Sequence, residues 1–279
     1  MGVGQKLQSI VKIFKSKDMI PVTEYVDKDT ILKDKVALIS GGSGGIGFSI
    51  AKAFIASGAK VIITGTNEKK LQKCCEELGK VAKYLILNLQ DVSLFDEKVG
   101  EAVSLFPDNK IDILVNSAGR INRKDFFHTD ETEWDSVMSV NLKGTYFLCQ
   151  KVSQYMIDNH IHGHILNVSS SSALRPAWTP YQISKWAING FTRGLADSLL
   201  KYGIIVNAIA PGPTATPMLG FSQGGGTESI QNQETLSGRY AMPSEIAQLA
   251  VYLASDCANM VIGDTFYVTG GSGIISMHQ

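Results

Sequence analysis

The feature that most constrains this chain is an alternation of two patterns. Short, continuous apolar runs recur along it, and each is followed by a stretch of helical spacing. Val36-Ala37-Leu38-Ile39 has no polar face, as a strand covered on both sides requires. After it, Ile46, Ile50, Ala53, Phe54 and Ala56 follow the period of one helical face, and Gly58 is placed to cap the end. Val61–Thr64 and Tyr84–Leu87 read as the next strands, with Asn67 capping the helix between them. A helix over 94–106 stops at Pro107, and Ile111–Val115 is a fourth strand. The pattern then predicts a long helix over 131–159, a strand at His164–Val168, a helix over 180–202 and a strand at Ile204–Ala208. A Gly/Pro-rich excursion at 211–226, a helix over 243–254 and a strand at Thr265–Val268 complete it. Such an order predicts an α/β fold, a doubly wound parallel sheet with helices on both faces. Residues 34–279 contain no internal repeat or linker and are expected to form one domain.

Residues 1–33 precede the alternation as an N-terminal extension. Leu7, Ile10, Val11, Ile13 and Phe14 could share one helical face, bordered by Lys6, Lys12, Lys15 and Lys17. A basic amphipathic piece of this kind can touch a membrane surface or a partner subunit. A segment packed on the protein's own body, or a frayed terminus, is the simpler expectation. Gly2 invites N-myristoylation, but Lys6 stands where Ser or Thr is needed. No apolar run is long enough for a membrane span, and the first residues lack a secretory signal pattern. The 26 basic and 26 acidic residues leave a formal net charge of zero, with no push toward nucleic acid. Cys74, Cys75, Cys149 and Cys257 contain no Cys-x-x-Cys pair. They are expected as reduced thiols in a cytoplasmic protein.

The first strand runs into Ser40-Gly41-Gly42-Ser43-Gly44-Gly45-Ile46-Gly47. Free N–H groups at a helix start favour an anion, and glycines let a pyrophosphate approach the backbone. The glycines fit two spacings, Gly42-x-Gly44-x-x-Gly47 and Gly41-x-x-x-Gly45-x-Gly47. No Lys-Ser/Thr follows the last glycine, so this is not a P-loop. A dinucleotide-binding turn of the Rossmann type is the expectation. Further on, Tyr181 and Lys185 stand four apart at a predicted helix start, which puts both on one face. A cation beside a phenol favours the phenolate and lowers its pKa.

Taken together in this order, the motifs resemble those of the short-chain dehydrogenase/reductase family, from about Lys33 to Gly273, and look like its 3-oxoacyl-carrier-protein reductases. Ser40-Gly41-x-x-x-Gly45-Ile46-Gly47 resembles the cofactor turn, and Asn116-Ser117-Ala118-Gly119 the Asn-Asn-Ala-Gly motif. Asn141, Ser170, Tyr181 and Lys185 match the catalytic asparagine, serine, tyrosine and lysine. Pro211-Gly212-Pro213-x-x-Thr216 resembles the nicotinamide-side loop, and Gly270-Gly271 the closing pair.

The resemblance implies reversible hydride transfer between a nicotinamide and a carbonyl or secondary alcohol. Tyr181 would exchange the proton, Lys185 would hold the ribose and lower the tyrosine pKa, Ser170 would donate to the substrate oxygen, and Asn141 would help hold a relay water. Cofactor contacts are expected from Gly41, Ser43, Gly45, Ile46, Gly47, Thr66, Asn67, Asn88, Leu89, Asn116, Ala118, Gly119, Pro211, Gly212, Thr214 and Thr216, besides Tyr181 and Lys185. Among Ser169–Ser172, Ser170 is chosen as the second serine after the strand, although Ser169 lies twelve residues before Tyr181 and Ser170 eleven.

Gly65-Thr66-Asn67 follows the second strand with no carboxylate to select a ribose 2′-hydroxyl. Thr66, Asn67 and Lys69 or Lys70 could bind a 2′-phosphate, so NADP(H) is favoured over NAD(H). His160-x-His162-x-His164 carries no nearby acid or cysteine, and no metal is expected. Arg175 and Trp178 either line the substrate entrance or are an ordinary surface arginine and packed tryptophan. Residues 213–229 read as a lid. The family's implied assembly is a homotetramer or homodimer through the helices at 131–159 and 180–202. A non-catalytic nicotinamide-binding sensor is the alternative, and the spacing of the glycine turn argues against nucleotide-sugar chemistry.

Overall fold

A computed structural model describes residues 30–222, 230–232 and 235–273. The amphipathic pattern at 7–14 lies outside them, as do residues 223–229 of the expected lid. Seven strands form one parallel sheet: β1 Val36–Ser40, β2 Lys60–Gly65, β3 Ala82–Ile86, β4 Ile113–Asn116, β5 His164–Val168, β6 Ile205–Pro211 and β7 Thr265–Val268. Their order across the sheet is β3-β2-β1-β4-β5-β6-β7, the doubly wound arrangement the alternation predicts.

The helices are α1 Gly45–Ala56, α2 Glu68–Leu78, α3 Phe95–Ser104, α4 Glu131–Met138, α5 Thr145–Asp158, α6 Pro180–Leu199 and α7 Pro243–Leu253. All five residues of β1 are buried. Ala37 and Ile39 pack with Phe48, Phe54, Leu71 and Ile246 on the α1 and α7 face. Val36 and Leu38 pack with Phe95, Leu148, Met156 and Leu199 on the other. That two-sided burial is why β1 reads as an unbroken apolar run.

Local signals set several element ends. Asn67 caps α2 by accepting from Lys70 N at 3.0 Å, and Gly58 leaves α1 with φ +94°. Thr179 and Gln182 form a capping box at α6, with Pro180 inside the first turn.

The expected long helix at 131–159 is interrupted. Between α4 and α5 the backbone winds as a π-helix over Ser139–Gly144. The helix expected from 94 begins as a short 3-10 turn at Val92–Leu94 before α3. β3 starts two residues and ends one residue earlier than its apolar run suggested. It is an edge strand with exposed Lys83 and Ile86, so hydrophobicity marks it poorly.

Candidate active site

Parallel register brings the strand ends level. Ser40 stands opposite Asn116, Asn116 opposite Asn167, and Val168 opposite Ile209. The segments leaving β1, β4, β5 and β6 therefore emerge along one edge, beside the point where strand order reverses between β1 and β4. Ligands of open α/β sheets bind in that crevice.

Two cavities lie there. One of about 720 Å³ is lined by the glycine turn, Thr66, Asn67, Asn88, Leu89, Ala118, Gly119 and Thr216. Lys70 and Arg120 also line it, and among the described residues no Asp or Glu does. Gly44 caps α1 without a side-chain hydrogen bond, which leaves the first-turn N–H groups facing this space. The glycines are sterically required. A Cβ on Gly41, where φ is +66°, would meet Ala118 Cα at 2.6 Å. One on Gly47 would meet the Gly41 carbonyl oxygen at 2.5 Å, and one on Gly45 would meet Thr216 Cγ2 at 2.7 Å. An uncapped helix start with basic and no acidic side chains around it fits an anionic dinucleotide.

The adjoining cavity, about 280 Å³, is lined by Ser170, Tyr181, Lys185, Pro211, Gly212, Thr214 and Thr216, with Ile46, Ser117 and Gly119 shared toward the first. The sequence-chosen residues thus converge from four different segments. Lys185 is buried and donates to the Val168 carbonyl at 2.8 Å. Burial pushes its pKa down to about 8. Its Nζ stands 5.7 Å from the Tyr181 ring centre. Tyr181 is partly buried, and burial raises its pKa, with a hydrogen bond from Ser170 working the other way. This corrects the expected lowering by Lys185: in this structure desolvation of the phenolate is the larger effect.

Ser169 and Ser170 both line the smaller cavity, and they differ in their hydrogen bonds. Ser170 faces the smaller cavity with Tyr181, and its Oγ accepts from Ser172 N and donates to Ser172 Oγ, both at 3.1 Å. Ser169 donates to Asn189 Oδ1 at 2.5 Å and contacts the Lys185 carbonyl at 3.3 Å, tying β5 to α6.

Asn141 lies in the π-helical segment. Its Oδ1 accepts from Arg120 N at 2.8 Å, and its Nδ2 donates to the Arg120 carbonyl at 2.9 Å and to Ser184 Oγ at 3.1 Å. Both amide donors are committed, so the side chain clamps the Gly119–Arg120 backbone to α6. A Cβ on Gly119 would lie 3.6 Å from Asn141 Oδ1 and 3.9 Å from Lys185 Nζ, which shows how closely the three meet.

Asn116 departs from the expectation. It is buried, donates to Asn167 Oδ1 at 2.9 Å and to Cys149 Sγ at 3.1 Å, and lines neither cavity. Its position at the end of a doubly covered strand turns its side chain inward, and Ser117 faces the cavities instead. Asn88 is held locally, accepting from Gln90 N and donating to Asp91. Sequence reasoning also missed Thr64, Arg120, Val140 and Met218 as lining residues. Ser117 and Arg120 sit within or next to a recognised motif, while Val140 and Met218 carry no local signal. Burial pushes the Cys149 thiol up to about 12, which makes it unreactive. The three histidines do not converge: His162 packs on Gly203, whereas buried His164 points toward Asp256 at 3.7 Å. Among the described residues no His, Cys, Asp and Glu side chains are grouped for a metal.

A doubly wound sheet with a dinucleotide-shaped cleft and a Ser-Tyr-Lys cluster at its mouth defines a class of nicotinamide enzymes. Comparison with known proteins places the chain within it. A family model described as enoyl-(acyl carrier protein) reductase matches residues 41–273. A 3-oxoacyl-[acyl-carrier-protein] reductase of Thermotoga maritima is 36% identical over 246 residues, 86% of this chain and 98% of that protein. A (2S)-[(R)-hydroxy(phenyl)methyl]succinyl-CoA dehydrogenase subunit of Thauera aromatica is 32% identical, covering 88% of this chain and 99% of that one. The crystal structure of a Brucella melitensis 3-ketoacyl-(acyl-carrier-protein) reductase complexed with NADH has a TM-score of 0.79 at 30% identity, over 87% of this chain and 100% of that one. The chain belongs to the short-chain dehydrogenase/reductase family, and it is an NAD(P)-dependent oxidoreductase of carbonyl or CH–OH groups.

Proposed function

We propose that Tyr181 is the proton donor and acceptor of this enzyme, and that it reduces a carbonyl or oxidises a secondary alcohol in the smaller cavity. The observation that carries this is the meeting of Ser170, Tyr181 and Lys185 in one cavity that opens onto the glycine turn. The glycine turn, Thr66, Asn67, Lys70 and Lys185 would hold a nicotinamide dinucleotide, which would supply or accept the hydride. Ser170 and Tyr181 hydrogen-bond the substrate oxygen, where charge develops during the reaction. Tyr181 then passes a proton to that oxygen, or takes one from it. Lys185, fixed by the Val168 carbonyl, places a positive charge beside the ribose and the phenol. Asn141 acts by positioning Gly119 and α6.

NADP(H) is the preferred cofactor in this reading. Thr66, Asn67 and Lys70 line the far end of the large cavity, where a 2′-phosphate would meet a cation and no acid. Residues 34–279 act as one domain with residues 1–33 as an extension, in the cytoplasm, as a homotetramer or homodimer. Exposed Trp134 and Tyr146 on α4 and α5 and Trp186 on α6 support that packing.

The relatives are named for 3-oxoacyl, acyl-CoA and sugar-alcohol substrates. The test is a screen of 3-oxoacyl thioesters, ketones, oxo acids and polyols with NADPH and NADH. On a confirmed substrate Tyr181→Phe is expected to lose roughly 100- to 10,000-fold in kcat. Full turnover by that variant would exclude Tyr181 as the proton donor, and cofactor binding with no turnover across the panel would favour a sensor.

A further inference from the structure

We propose that Arg175 is the substrate-recognition residue of this site, and that it binds the carboxylate of a small oxo acid or of the corresponding hydroxy acid. The inference rests on the hydride-transfer reading above and narrows its substrate.

Arg175 follows the short helical turn Ser171–Leu174, between Ser170 and Tyr181. It lines the same 280 Å³ cavity as those two residues. Its placement is built from three sides. Trp186 Nε1 donates to the Arg175 carbonyl at 2.9 Å, which fixes the backbone against α6. The guanidinium donates through Nη2 to Ser272 Oγ at 2.9 Å. Beyond it stands Gly273 with φ +78°, where a Cβ would come within 3.1 Å of Arg175 Nε. The closing turn of the chain thus leaves room for the guanidinium and holds it at one end.

No carboxylate neutralises this charge among the described residues, for Arg175 takes part in none of the ion pairs they form. Among the described residues the cavity lining contains two cations, Arg175 and Lys185, and no Asp or Glu. Lys185 is committed to the Val168 carbonyl. Ile121, Val168, Met218 and Leu219 supply apolar wall. An arginine has five donors in a planar fork, and among the described residues one hydrogen bond, to the neutral Ser272 hydroxyl, uses them. A carboxylate is the ligand that fork fits, by two parallel hydrogen bonds. With the acid held there, its carbonyl oxygen can reach Ser170 and Tyr181 in the same small cavity. The carbonyl carbon receives the hydride of the reduced nicotinamide and the oxygen receives the Tyr181 proton. The oxo acid becomes the hydroxy acid, the reduced nicotinamide becomes the oxidised one, and the carboxylate is unchanged.

The test compares 3-oxo acids of four to eight carbons with their methyl esters, using wild type, Arg175→Lys and Arg175→Gln. The wild-type ratio of kcat/KM, acid over ester, is expected to be roughly 10 to 100. It should fall toward one in Arg175→Gln through a higher KM for the acid, with Arg175→Lys between the two. A ratio near one in the wild type, or one that Arg175→Gln leaves unmoved, overturns the proposal. If neither acid nor ester turns over, the hydride-transfer reading fails, and binding decides this one separately. Trp186 Nε1 is bonded to the Arg175 carbonyl, so 3-oxohexanoate should change tryptophan fluorescence saturably, its methyl ester should not, and Arg175→Gln should abolish the response. No response to the acid in the wild type overturns the proposal.

Discussion

At the scale of the residue, the cavity mouth is governed by burial as much as by charge. Ser170 and Ser169 are adjacent in sequence, yet one bonds within its own loop to Ser172 and the other bonds Asn189 on α6. In the proposed role Ser170→Ala is expected to lower kcat by roughly 100-fold, as removal of a donor at a developing oxyanion does, with a stability cost of about 1 kcal/mol from the lost bond to Ser172 N. Ser169→Ala should instead lower thermal stability, by about 1–2 kcal/mol, because it leaves Asn189 short of a partner. Steady-state kinetics and melting curves on both variants separate the roles, and the reverse pattern would exchange them. Lys185 gives a pH signature. Its folded pKa of about 8 lies below the unfolded value, so folding carries a penalty while the lysine is charged. The penalty is present below pH 8 and is relieved as pH rises from there toward the unfolded pKa. Relative to Lys185→Met, the nucleotide-free wild type should gain stability on the order of 2 kcal/mol between pH 7.5 and 10. Urea unfolding of both proteins across that range measures it, and a flat difference would show that the ammonium is already solvated. The motif positions of Ser170, Tyr181 and Lys185 were legible in the sequence. The direction of the Tyr181 shift was not, because it depends on how much of the chain covers the phenol.

At the scale of the element, the least readable feature is the π-helical turn Ser139–Gly144. Its Ser, Val, Asn and Gly are weak helix formers, but nothing local in the sequence announces an i to i+5 step. The turn places Asn141 against Arg120 and Ser184. It also brings the backbone at Gly144 against the loop after β3, where a Cβ would stand 2.4 Å from the Leu89 carbonyl oxygen. Leu89 in turn lines the large cavity. Gly144→Ala must push the turn and that loop apart. We expect it to cost about 1–3 kcal/mol, as overpacking does, and to weaken cofactor binding more than it lowers kcat. Melting temperature and cofactor titration together check this; destabilisation with unchanged cofactor affinity would disconnect the turn from the cleft. By contrast β5 and β7 were legible to the residue, because apolar runs bounded by turn residues define them. β3 was displaced by its exposure at the sheet edge. Asn116 looked like a cleft residue because its motif is, but strand register turns it toward Asn167.

At the scale of the whole molecule, the large cavity is a joint product of the segments that leave β1, β2, β3, β4 and β6. No single element contains the site that chooses between cofactors. Thr66 and Asn67 come from the end of β2, Lys70 from the first turn of α2, and the uncapped N–H groups from α1. Because no carboxylate stands among them, a 2′-phosphate meets only neutral donors and a cation, while the unphosphorylated ribose loses the acidic partner that would favour it. A ligand that binds only the folded chain raises stability by an amount set by its concentration over its Kd. At 100 times its Kd, NADPH should stabilise by about 2.7 kcal/mol, or roughly 5–10 °C for a domain of this size. NADH at the same concentration should give a smaller rise. Lys70→Glu is expected to reverse the order, since the introduced carboxylate repels the phosphate and can accept from the 2′-hydroxyl. The lysine contributes to α2 through its main-chain N–H to Asn67, which the substitution keeps, so the variant should fold with a melting temperature near that of the wild type. Equal shifts with both cofactors in the wild type, or an order that Lys70→Glu leaves unchanged, would mean that the cleft selects its cofactor elsewhere than at the end of β2.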